Sequence, residues 1–318
     1  MIILVDAMGG DNAPLAVVKG ALLAAKETDC SIALIGPKEK LYELLTQECP
    51  DGIPANILTV GASDVIGCDE PPVKAIKTKP DSTMVQGLTI LKDGLADAFV
   101  SAGSTGALLV GGLLICGRIK GIERPAICSL YPVVGSQPAV LVDAGANAEC
   151  KPRNLYEFAL MGSVYMEKVL GRANPRVGLA NIGVEAEKGT ALTKKAYELL
   201  SESELNFVGN VEARDIPDGI CDVIVADGFT GNVILKLSEG MAHRLAKVVA
   251  DRLPPEMMAS IRSQTDYSEF GGAPILGVEK PIIKMHGASG PKAVKNAILK
   301  AVDFVESDVI GKVKEQIR

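Results

Sequence analysis

Short apolar runs recur along the chain, and most of them end in glycine or aspartate. They occupy residues 2–5, 32–35, 57–60, 98–100, 139–142, 177–180, 207–208 and 223–226. Between them lie helix-length stretches with apolar residues three and four positions apart, at 14–26, 38–48, 154–170, 188–200 and 232–253. Continuous apolar strands that alternate with helices predict an α/β fold with a mostly parallel sheet flanked by helices.

The composition fits this fold and narrows the class of function. Hydrophobic residues make up 47% of the chain but aromatic residues only 4%, so the core must be filled by aliphatic side chains. The net charge of −6 argues against a nucleic-acid-binding protein, which usually carries a basic excess. The 7 cysteines are scattered, with none in a CxxC spacing, which predicts reduced thiols in a cytoplasmic protein.

The organisation predicted for residues 1–318 is a single unit of two closely packed lobes that share a sheet. Pro71-Pro72 and Pro254-Pro255 are the strongest candidates for breaks in the chain. The uncharged segment 98–117 is long enough to span a membrane, but it contains several glycines and hydroxyl residues. We therefore expect it to form a strand, a tight loop and a buried helix.

The loop Ser101-Ala-Gly103-Ser104-Thr105-Gly106 joins a predicted strand to a predicted helix. Exposed N–H groups at a helix start favour an anion such as phosphate, and the hydroxyl groups add donors. A tight turn that needs glycine for steric reasons explains the same pattern equally well. The motif alone therefore leaves both readings open.

Two further loops carry acidic residues at strand ends. Asp227-Gly-Phe-Thr-Gly-Asn232 offers a carboxylate that acts as a base or orients a neighbour, or else an N-cap that holds the helix start. Asp6-Ala-Met-Gly-Gly-Asp11 has two acids around a glycine pair. It lacks both the dinucleotide and the P-loop motif, and no nearby ligands complete a metal site, so no metal is assigned.

Basic residues mark two more positions. Lys188 is expected at the start of a helix, either on the solvated surface or facing an anion. His286 is expected at a strand end before a helix, the usual position of a site residue, although a histidine that caps the turn would also fit. No nucleophile elbow with Ser, His and Asp can be assembled, and no cysteine is clearly activated, which disfavours covalent catalysis.

In their order along the chain, these motifs resemble the PlsX family, the phosphate acyltransferases of bacterial phospholipid synthesis. The matching stretches lie at 6–11, 101–107, 117–125, 143–147, 181–189, 209–212, 226–233, 271–274 and 286–289. Ser104 is a departure, because we expect the family to carry asparagine there. The resemblance implies a fold like those of phosphotransacetylase and isopropylmalate dehydrogenase, and it covers essentially the whole chain.

The activity implied by the resemblance is transfer of an acyl group from acyl carrier protein to inorganic phosphate. The resemblance also implies a homodimer, no cofactor, and peripheral contact with the membrane, where a glycerol-3-phosphate acyltransferase would take the product. Alternatives are a phosphotransacetylase-like enzyme that uses acyl-CoA, and a non-catalytic scaffold at the membrane. A comparison of acyl-CoA with acyl carrier protein as acyl donor would distinguish the phosphotransacetylase-like enzyme from the phosphate acyltransferase.

The predicted site follows from this activity. Phosphate is assigned to the 101–106 loop with Lys188 as counter-charge, Asn232 and His286 face the oxyanion, and Asp227 orients Lys188 or Asn232. Asp6 and Asp11 shape the loop wall, since carboxylates beside phosphate would repel it. The other predicted substrate-binding residues are Asn147 and Arg124.

Two surfaces are predicted to meet other molecules. An acidic carrier protein needs a basic dock, supplied by Lys74, Lys77 and Lys79 or by Arg118, Lys120 and Arg124, although both sets also fit ordinary solvated charge. The segment 253–261, within a predicted membrane-facing element at 237–275, has apolar side chains around a proline break. It is expected to form either a tip that dips into a membrane surface or an interior helix junction.

Overall fold

A computed structural model describes residues 1–249, 253–254, 256–258 and 271–317 of the chain. These residues form two compact units. The first comprises Met1–Ile119 and the described part of Phe270–Ile310, and the second comprises the described part of Lys120–Glu269 and Gly311–Arg318.

The strands are β1 Ile2–Asp6, β2 Ser31–Gly36, β3 Ile57–Gly61, β4 Ala98–Ser101, β5 Ala126–Tyr131, β6 Ala139–Val142, β7 Val177–Asn181, β8 Phe207–Glu212, β9 Val223–Val225, β10 Ala273–Leu276 and β11 Ile282–Lys284. The helices are α1 Leu15–Ala24, α2 Lys38–Glu48, α3 Pro72–Thr78, α4 Thr83–Lys92, α5 Thr105–Gly111, α6 Pro152–Lys168, α7 Ala191–Ser201, α8 Gly228–Val249, α9 Pro291–Glu306 and α10 Val309–Gln316. A π-helical turn, Gly112–Cys116, continues α5, and Ile216–Asp218 forms a 3-10 turn.

The first unit is built on strands in the order β3-β2-β1-β4-β11-β10. All neighbouring pairs are parallel except β10 with β11. The chain runs from β1 to β2 and β3 on one side and returns to place β4 on the other side of β1. In open α/β sheets this reversal point is where ligands bind, beyond the carboxyl ends of the strands.

Small residues let the helices of the first unit pack closely. In α1, a Cβ added at Gly20 would lie 2.4 Å from the Val294 Cβ of α9, so the two helices approach as near as glycine allows. Phe99 and Phe304 are fully buried among aliphatic side chains. The core therefore has the aliphatic character that the low aromatic content predicts.

The second unit has strands in the order β5-β6-β9-β7-β8. Here β5 and β6 are antiparallel, and the other neighbours are parallel. Helix α6 is buried along most of its length, with Phe158 and Tyr165 among its fully buried side chains. The loops that follow β6, β7 and β9 lie at the carboxyl ends of parallel strands, where the predicted site residues of this unit occur.

The structure confirms the predicted α/β class and the core of every predicted strand. Two strands were not predicted, β5 and β10, and β10 has only 4 residues. Strand β11, with 3 residues, is the strand that was expected to precede His286. The segment 98–117 forms β4, a loop, α5 and the π-helical turn, as expected. Among the described residues, no helix is long and apolar enough to cross a bilayer.

Three predicted boundaries need correction. Helix α8 begins at Gly228, so Asn232 lies in its second turn and not at its start. Helix α7 begins at Ala191 with Thr190 as its N-cap, so Lys188 precedes the helix. Pro71-Pro72 is not a break, because Pro71 caps α3 and Pro72 is its first residue, where a missing N–H costs nothing. Pro255 lies outside the described residues, so Pro254-Pro255 stays a prediction.

Candidate active site

The carboxyl ends of β1 and β4 meet at the reversal point of the first unit, and Asp6 and Ser101 lie there. Both side chains are buried. Ser101 Oγ donates to Asp6 Oδ2 over 2.7 Å and accepts from the Gly103 N–H over 3.0 Å. Burial raises the pKa of Asp6, while hydrogen bonds from Ser101 and Thr83 act in the opposite direction. Asp6 thus holds the loop after β4 through Ser101. Its place in the wall of a phosphate loop stays a prediction.

This pairing gives Ser101 a positioning role. Its hydroxyl has a donor and an acceptor partner inside the protein, and its side chain has no exposed surface. The residues of the loop nearer to solvent are Thr105 and Gly106, which are partly exposed. As first-turn residues of α5 they carry N–H groups without an intrahelical partner. These N–H groups are therefore the best candidates in the loop for an anion.

Ser104 caps α5. Its Oγ accepts from the Ala107 N–H over 3.4 Å, and its side chain is only 7% exposed. Asparagine caps helices as well as serine does, so the residue expected for the family would fit the same position. The short serine hydroxyl is committed to the cap.

The loop after β1 is fastened to the loop after β11. The Asp11 N–H donates to the Gly287 carbonyl over 2.8 Å, and Asn12 Nδ2 donates to the Ala288 carbonyl over 3.0 Å. The carboxylate of Asp11 is exposed beside Gly287. His286, at the start of this second loop, is exposed and its Nδ1 accepts from the Ala288 N–H over 3.1 Å. His286 therefore follows a strand and is exposed, and its role at the site stays a prediction.

In the second unit, Asp143 follows β6 and is completely buried. Its Oδ1 accepts from the Ile127 and Gly145 N–H groups, its Oδ2 from the Asn147 N–H, and both oxygens from the Ala146 N–H, over 2.7 to 3.1 Å. Burial raises the pKa of Asp143, and these hydrogen bonds oppose the shift. The residue belongs to a recognised motif, but sequence reasoning assigned no role to it.

Asn147 was predicted to bind substrate, and the structure gives it a different task. Its Nδ2 donates to the Pro125 carbonyl over 2.7 Å and to Asp143 Oδ2 over 2.8 Å, and the side chain is buried. Both amide hydrogens are therefore engaged within the protein. Arg124, next to Pro125, is exposed and close enough to act electrostatically on the Cys150 thiol.

Asp227 adopts the N-cap arrangement that was one of its two predicted readings. Its Oδ1 accepts from the Thr230 N–H over 2.9 Å, and its Oδ2 accepts from Thr230 Oγ1 over 2.7 Å. Among the described residues these bonds pair Asp227 with Thr230, rather than with Lys188 or Asn232. Asn232 is exposed in the next turn of α8, where its Nδ2 donates to the Ala144 carbonyl over 3.3 Å.

Lys188 is presented by the loop between β7 and α7. Its side chain is exposed. Asn181 Nδ2 donates to the Lys188 carbonyl and to Asn210 Oδ1, each over 3.1 Å, and Asn210 Nδ2 donates to the Glu185 carbonyl over 2.8 Å. Asn181 at the end of β7 and Asn210 within β8 thus hold this loop at Lys188 and at Glu185. Both occur in recognised motifs, but nothing in the pattern showed that they bond each other.

Three of the cysteine thiols are poor nucleophiles. Burial raises the pKa of Cys150 and of Cys116 to about 11 in each case, and that of Cys221 to about 12. These thiols stay protonated at neutral pH, whereas the thiolate is the reactive form. The observation favours a reaction that does not pass through a covalent cysteine intermediate at these positions.

The lysines of the first predicted dock differ from one another. Lys79 Nζ donates to Glu70 Oε1 and to the Val65 carbonyl, each over 2.8 Å, so it holds a loop of the first unit. Lys74 and Lys77 are exposed on α3, and neither is ion-paired with a described residue. Arg118, Lys120 and Arg124 of the alternative dock are also exposed.

The fold is that of the phosphotransacetylases. A phosphotransacetylase from Streptococcus pyogenes has a TM-score of 0.65 at 19% identity, with 98% of this chain and 94% of that chain covered. The profile of a family described as "Fatty acid synthesis protein" matches residues 1–312. A phosphate acyltransferase from Alkaliphilus oremlandii is 49% identical over 100% of this chain and 97% of its own length. One from Thermoanaerobacter pseudethanolicus is 47% identical, covering 98% and 96%.

These similarities identify the chain in two steps. The first step is the fold, which the chain shares with the phosphotransacetylases. The full-length matches then show that it belongs to the phosphate acyltransferase family, the family whose motifs the sequence resembles. The chain is therefore an acyltransferase, and its reaction is acyl transfer to phosphate.

Proposed function

We propose that the chain transfers an acyl group from acyl carrier protein to inorganic phosphate and so supplies acyl phosphate to phospholipid synthesis. Membership of the phosphate acyltransferase family carries this proposal. In the reaction a phosphate oxygen attacks the thioester carbonyl, the new C–O bond forms and the C–S bond breaks. The leaving thiolate takes a proton from solvent, which needs little assistance because the thiol pKa is about 8.5.

Phosphate is already an anion at neutral pH, so the reaction does not need a strong base. The protein must instead position phosphate against the thioester carbonyl and stabilise the oxyanion that forms. We assign phosphate to the N–H groups at the start of α5, with the Asp6–Ser101 pair holding that loop in place. The roles of Lys188 as counter-charge and of Asn232 and His286 as oxyanion donors remain predictions. Removal of Lys188 or Asn232 as alanine variants should each lower kcat by about 10²-fold.

The carrier-protein donor is supported by α3. A Cβ added at Gly106 would come 2.8 Å from Pro72 Cγ, so the first turn of α3 packs directly on the loop assigned to phosphate. Lys74 and Lys77 lie exposed on this same helix. An acidic carrier protein that docks on α3 would therefore approach the proposed phosphate loop, and Lys79 is left out of the dock because of its internal partners.

Incubation of the purified chain with acyl carrier protein loaded with a fatty acyl group, plus phosphate, tests the proposal. Mass spectrometry should detect acyl phosphate and free carrier protein. A parallel reaction with acyl-CoA separates the two donors. Turnover with acyl-CoA but none with the carrier protein would assign the phosphotransacetylase-like activity instead, and no acyl phosphate from either donor would reject the proposed function.

We also propose that the chain forms a homodimer through α8. Val233, Leu237, Met241 and Leu245 recur at every fourth position of this helix, and each is at least half exposed. Residues with this spacing lie along one side of a helix. Such a long apolar surface is unusual on a monomer, and the same surface on a second copy would be complementary to it.

Peripheral membrane contact is proposed for the element at 237–275, of which residues 250–252, 255 and 259–270 lie outside the described residues. Within the described part of segment 253–261, Met257 is 52% exposed whereas Met258 is buried. Among the described residues of this segment, Met257 is therefore an exposed apolar side chain that suits contact with a lipid surface. At that surface a membrane-bound glycerol-3-phosphate acyltransferase would take the product. In a liposome flotation assay, a smaller fraction of Met257→Asp than of wild type should float with the liposomes. Equal fractions would contradict membrane contact through Met257.

A further inference from the structure

Asp143 is a buried carboxylate to which the proposed reaction assigns no step. It stands at the carboxyl end of β6 and accepts hydrogen bonds from four backbone N–H groups and from the Asn147 side chain. A buried carboxylate is costly unless it is well paired. The ring of donors offsets this cost, and in return it fixes the conformation of the turn 143–147.

The turn that Asp143 organises is in contact with α8. The Gly228 N–H donates to the Asn147 carbonyl over 2.7 Å, which fastens the helix start to the turn. A Cβ at Gly228 would lie 2.7 Å from Asp143 Oδ2, and one at Gly231 would collide with the Asp143 carbonyl oxygen. Glycine at both positions lets α8 lie directly against the turn.

The same turn reaches Asn232. Its Nδ2 donates to the Ala144 carbonyl over 3.3 Å, and a Cβ at Gly145 would lie 2.9 Å from that nitrogen. Ala144 and Gly145, the two residues that follow Asp143 in the chain, thus both lie against the Asn232 amide. A shift of the turn would rotate or displace the amide that is predicted to face the oxyanion.

We infer that Asp143 is a positioning residue for Asn232, acting through the turn 143–147 and the start of α8. The inference rests on the proposed acyl transfer to phosphate. Asp143 touches no reacting atom in this proposal. It sets the Ala144 carbonyl and the Gly145 backbone against which the Asn232 amide is held, because an oxyanion donor is effective only when its geometry is set in advance.

An Asp143→Asn variant tests the inference, because asparagine keeps the side-chain size but turns one acceptor into a donor. In the variant, the amide N–H of the asparagine would point at a backbone N–H group that donates to Asp143 in the wild type. We expect kcat to fall at least tenfold with little change in the KM for phosphate, the pattern for a lost transition-state interaction. In an Asn232→Ala background the same substitution should cost less than about twofold, because residues that act as one unit are non-additive.

The matched control is Asp222→Asn, which removes a buried carboxylate in the same unit. Asp222 directly precedes β9, at the opposite end of that strand from the Asp227–Asn232 loop, and it pairs with Arg172 and Arg176. Any loss of activity it causes should be the same with and without Asn232, because it follows from stability alone. Equal fold losses for Asp143→Asn in both backgrounds would overturn the inference.

Hydrogen–deuterium exchange of the backbone at 226–235 supplies a readout that does not depend on the reaction. Exchange there should rise in Asp143→Asn by more than in Asp222→Asn, whose lower global stability affects all protected amides alike. If Asp143→Asn does not fold, Asn147→Ala, which removes one donor to the carboxylate, should show a smaller change of the same kind. A wild-type chain that makes no acyl phosphate would reject the proposed function, whereas unchanged exchange at 226–235 in both turn variants would reject the positioning role.

Discussion

Ser101 Oγ donates a hydrogen bond of 2.7 Å to Asp6 Oδ2, and both side chains are buried at the carboxyl ends of adjacent parallel strands. The same hydroxyl accepts from the Gly103 N–H, so a carboxylate on β1 sets the course of the loop after β4. The second unit has a similar arrangement, in which Asp143 sets the turn after β6. In each unit a buried acid shapes a loop and leaves other groups to meet a ligand.

Ser101→Ala should therefore impair phosphate use without preventing folding. The change leaves Asp6 with one partner fewer, which should cost about 1–3 kcal/mol of unfolding free energy. The loop loses its anchor, so the KM for phosphate should rise about tenfold or more, since small misplacements of binding groups are costly. Steady-state kinetics with varied phosphate measure this change.

Ser163→Ala is the matched control for Ser101→Ala. Ser163 is also a buried serine, but its Oγ has no hydrogen-bond partner in the described structure. It should keep the wild-type KM for phosphate. A wild-type KM in Ser101→Ala as well would show that the loop does not need this hydrogen bond to bind phosphate.

The sequence was sufficient for the class of fold because apolar runs and helix periodicity are local features. It also placed Asp6, Asp227 and His286 at strand ends, where the structure has them. It could not distinguish ligand contacts from internal support, because partners such as Asn147 and Pro125 are far apart along the chain. The Asn147 amide and the Lys79 ammonium are polar groups that look available in the sequence but are engaged within the fold.

Asp222→Asn should destabilise the chain in a pH-dependent way. Burial alone would raise the pKa of Asp222, but hydrogen bonds from Arg176 and Arg172 outweigh it and hold the pKa below the ordinary 3.8. A depressed folded pKa means that the stabilisation is present above 3.8 and is lost as the pH falls through the folded value. The variant should be less stable than wild type by about 3 kcal/mol at pH 7, at the low end for a buried pair because both arginines are partly exposed to solvent.

Urea unfolding of wild type and Asp222→Asn at a series of pH values measures this difference. The gap in unfolding free energy should narrow as the pH is lowered below 3.8. A gap that stays constant across the acid range would show that the ion pair is not its source.

Charge reversal on α3 should weaken use of the carrier protein. Lys74→Glu with Lys77→Glu replaces two exposed positive charges by negative ones that repel an acidic partner. The KM for acyl carrier protein should rise at least tenfold at low salt, while the KM for phosphate stays within about twofold. The effect should shrink as salt screens the charges.

The control for this experiment carries the same change in net charge on other helices. Lys26→Glu with Lys40→Glu reverses two exposed lysines, one just beyond α1 and one on α2. It should leave both KM values close to those of wild type. Equal effects from both pairs would mean that total charge matters and that α3 is not the dock.

Acidic residues in the middle of the α8 surface should separate the proposed homodimer. Leu237 and Met241 are 64% and 51% exposed. Burial of an unpaired glutamate at either position against a second copy would cost more free energy than the apolar contact contributes to the dimer. Sedimentation velocity should show a dimer for wild type and a monomer for Leu237→Glu with Met241→Glu. Tyr42→Glu, at a side chain 65% exposed on α2, should remain dimeric.

Asn210→Ala should lower activity through Lys188 without touching a ligand itself. Asn210 Nδ2 holds the Glu185 carbonyl over 2.8 Å, and its Oδ1 accepts from Asn181, whose amide also binds the Lys188 carbonyl. Loss of these bonds frees the loop that presents the lysine, so kcat should fall about tenfold or more. In a Lys188→Ala background the same change should have little further effect on kcat, because the loop then carries no ammonium to position.

The control is Asn206→Ala. Asn206 lies just before β8, and its side chain donates a hydrogen bond to the Asn174 carbonyl. Loss of that bond should leave kcat at the wild-type value. Equal fold losses of kcat from Asn210→Ala with and without Lys188 would show that Asn210 acts through general stability and does not position Lys188.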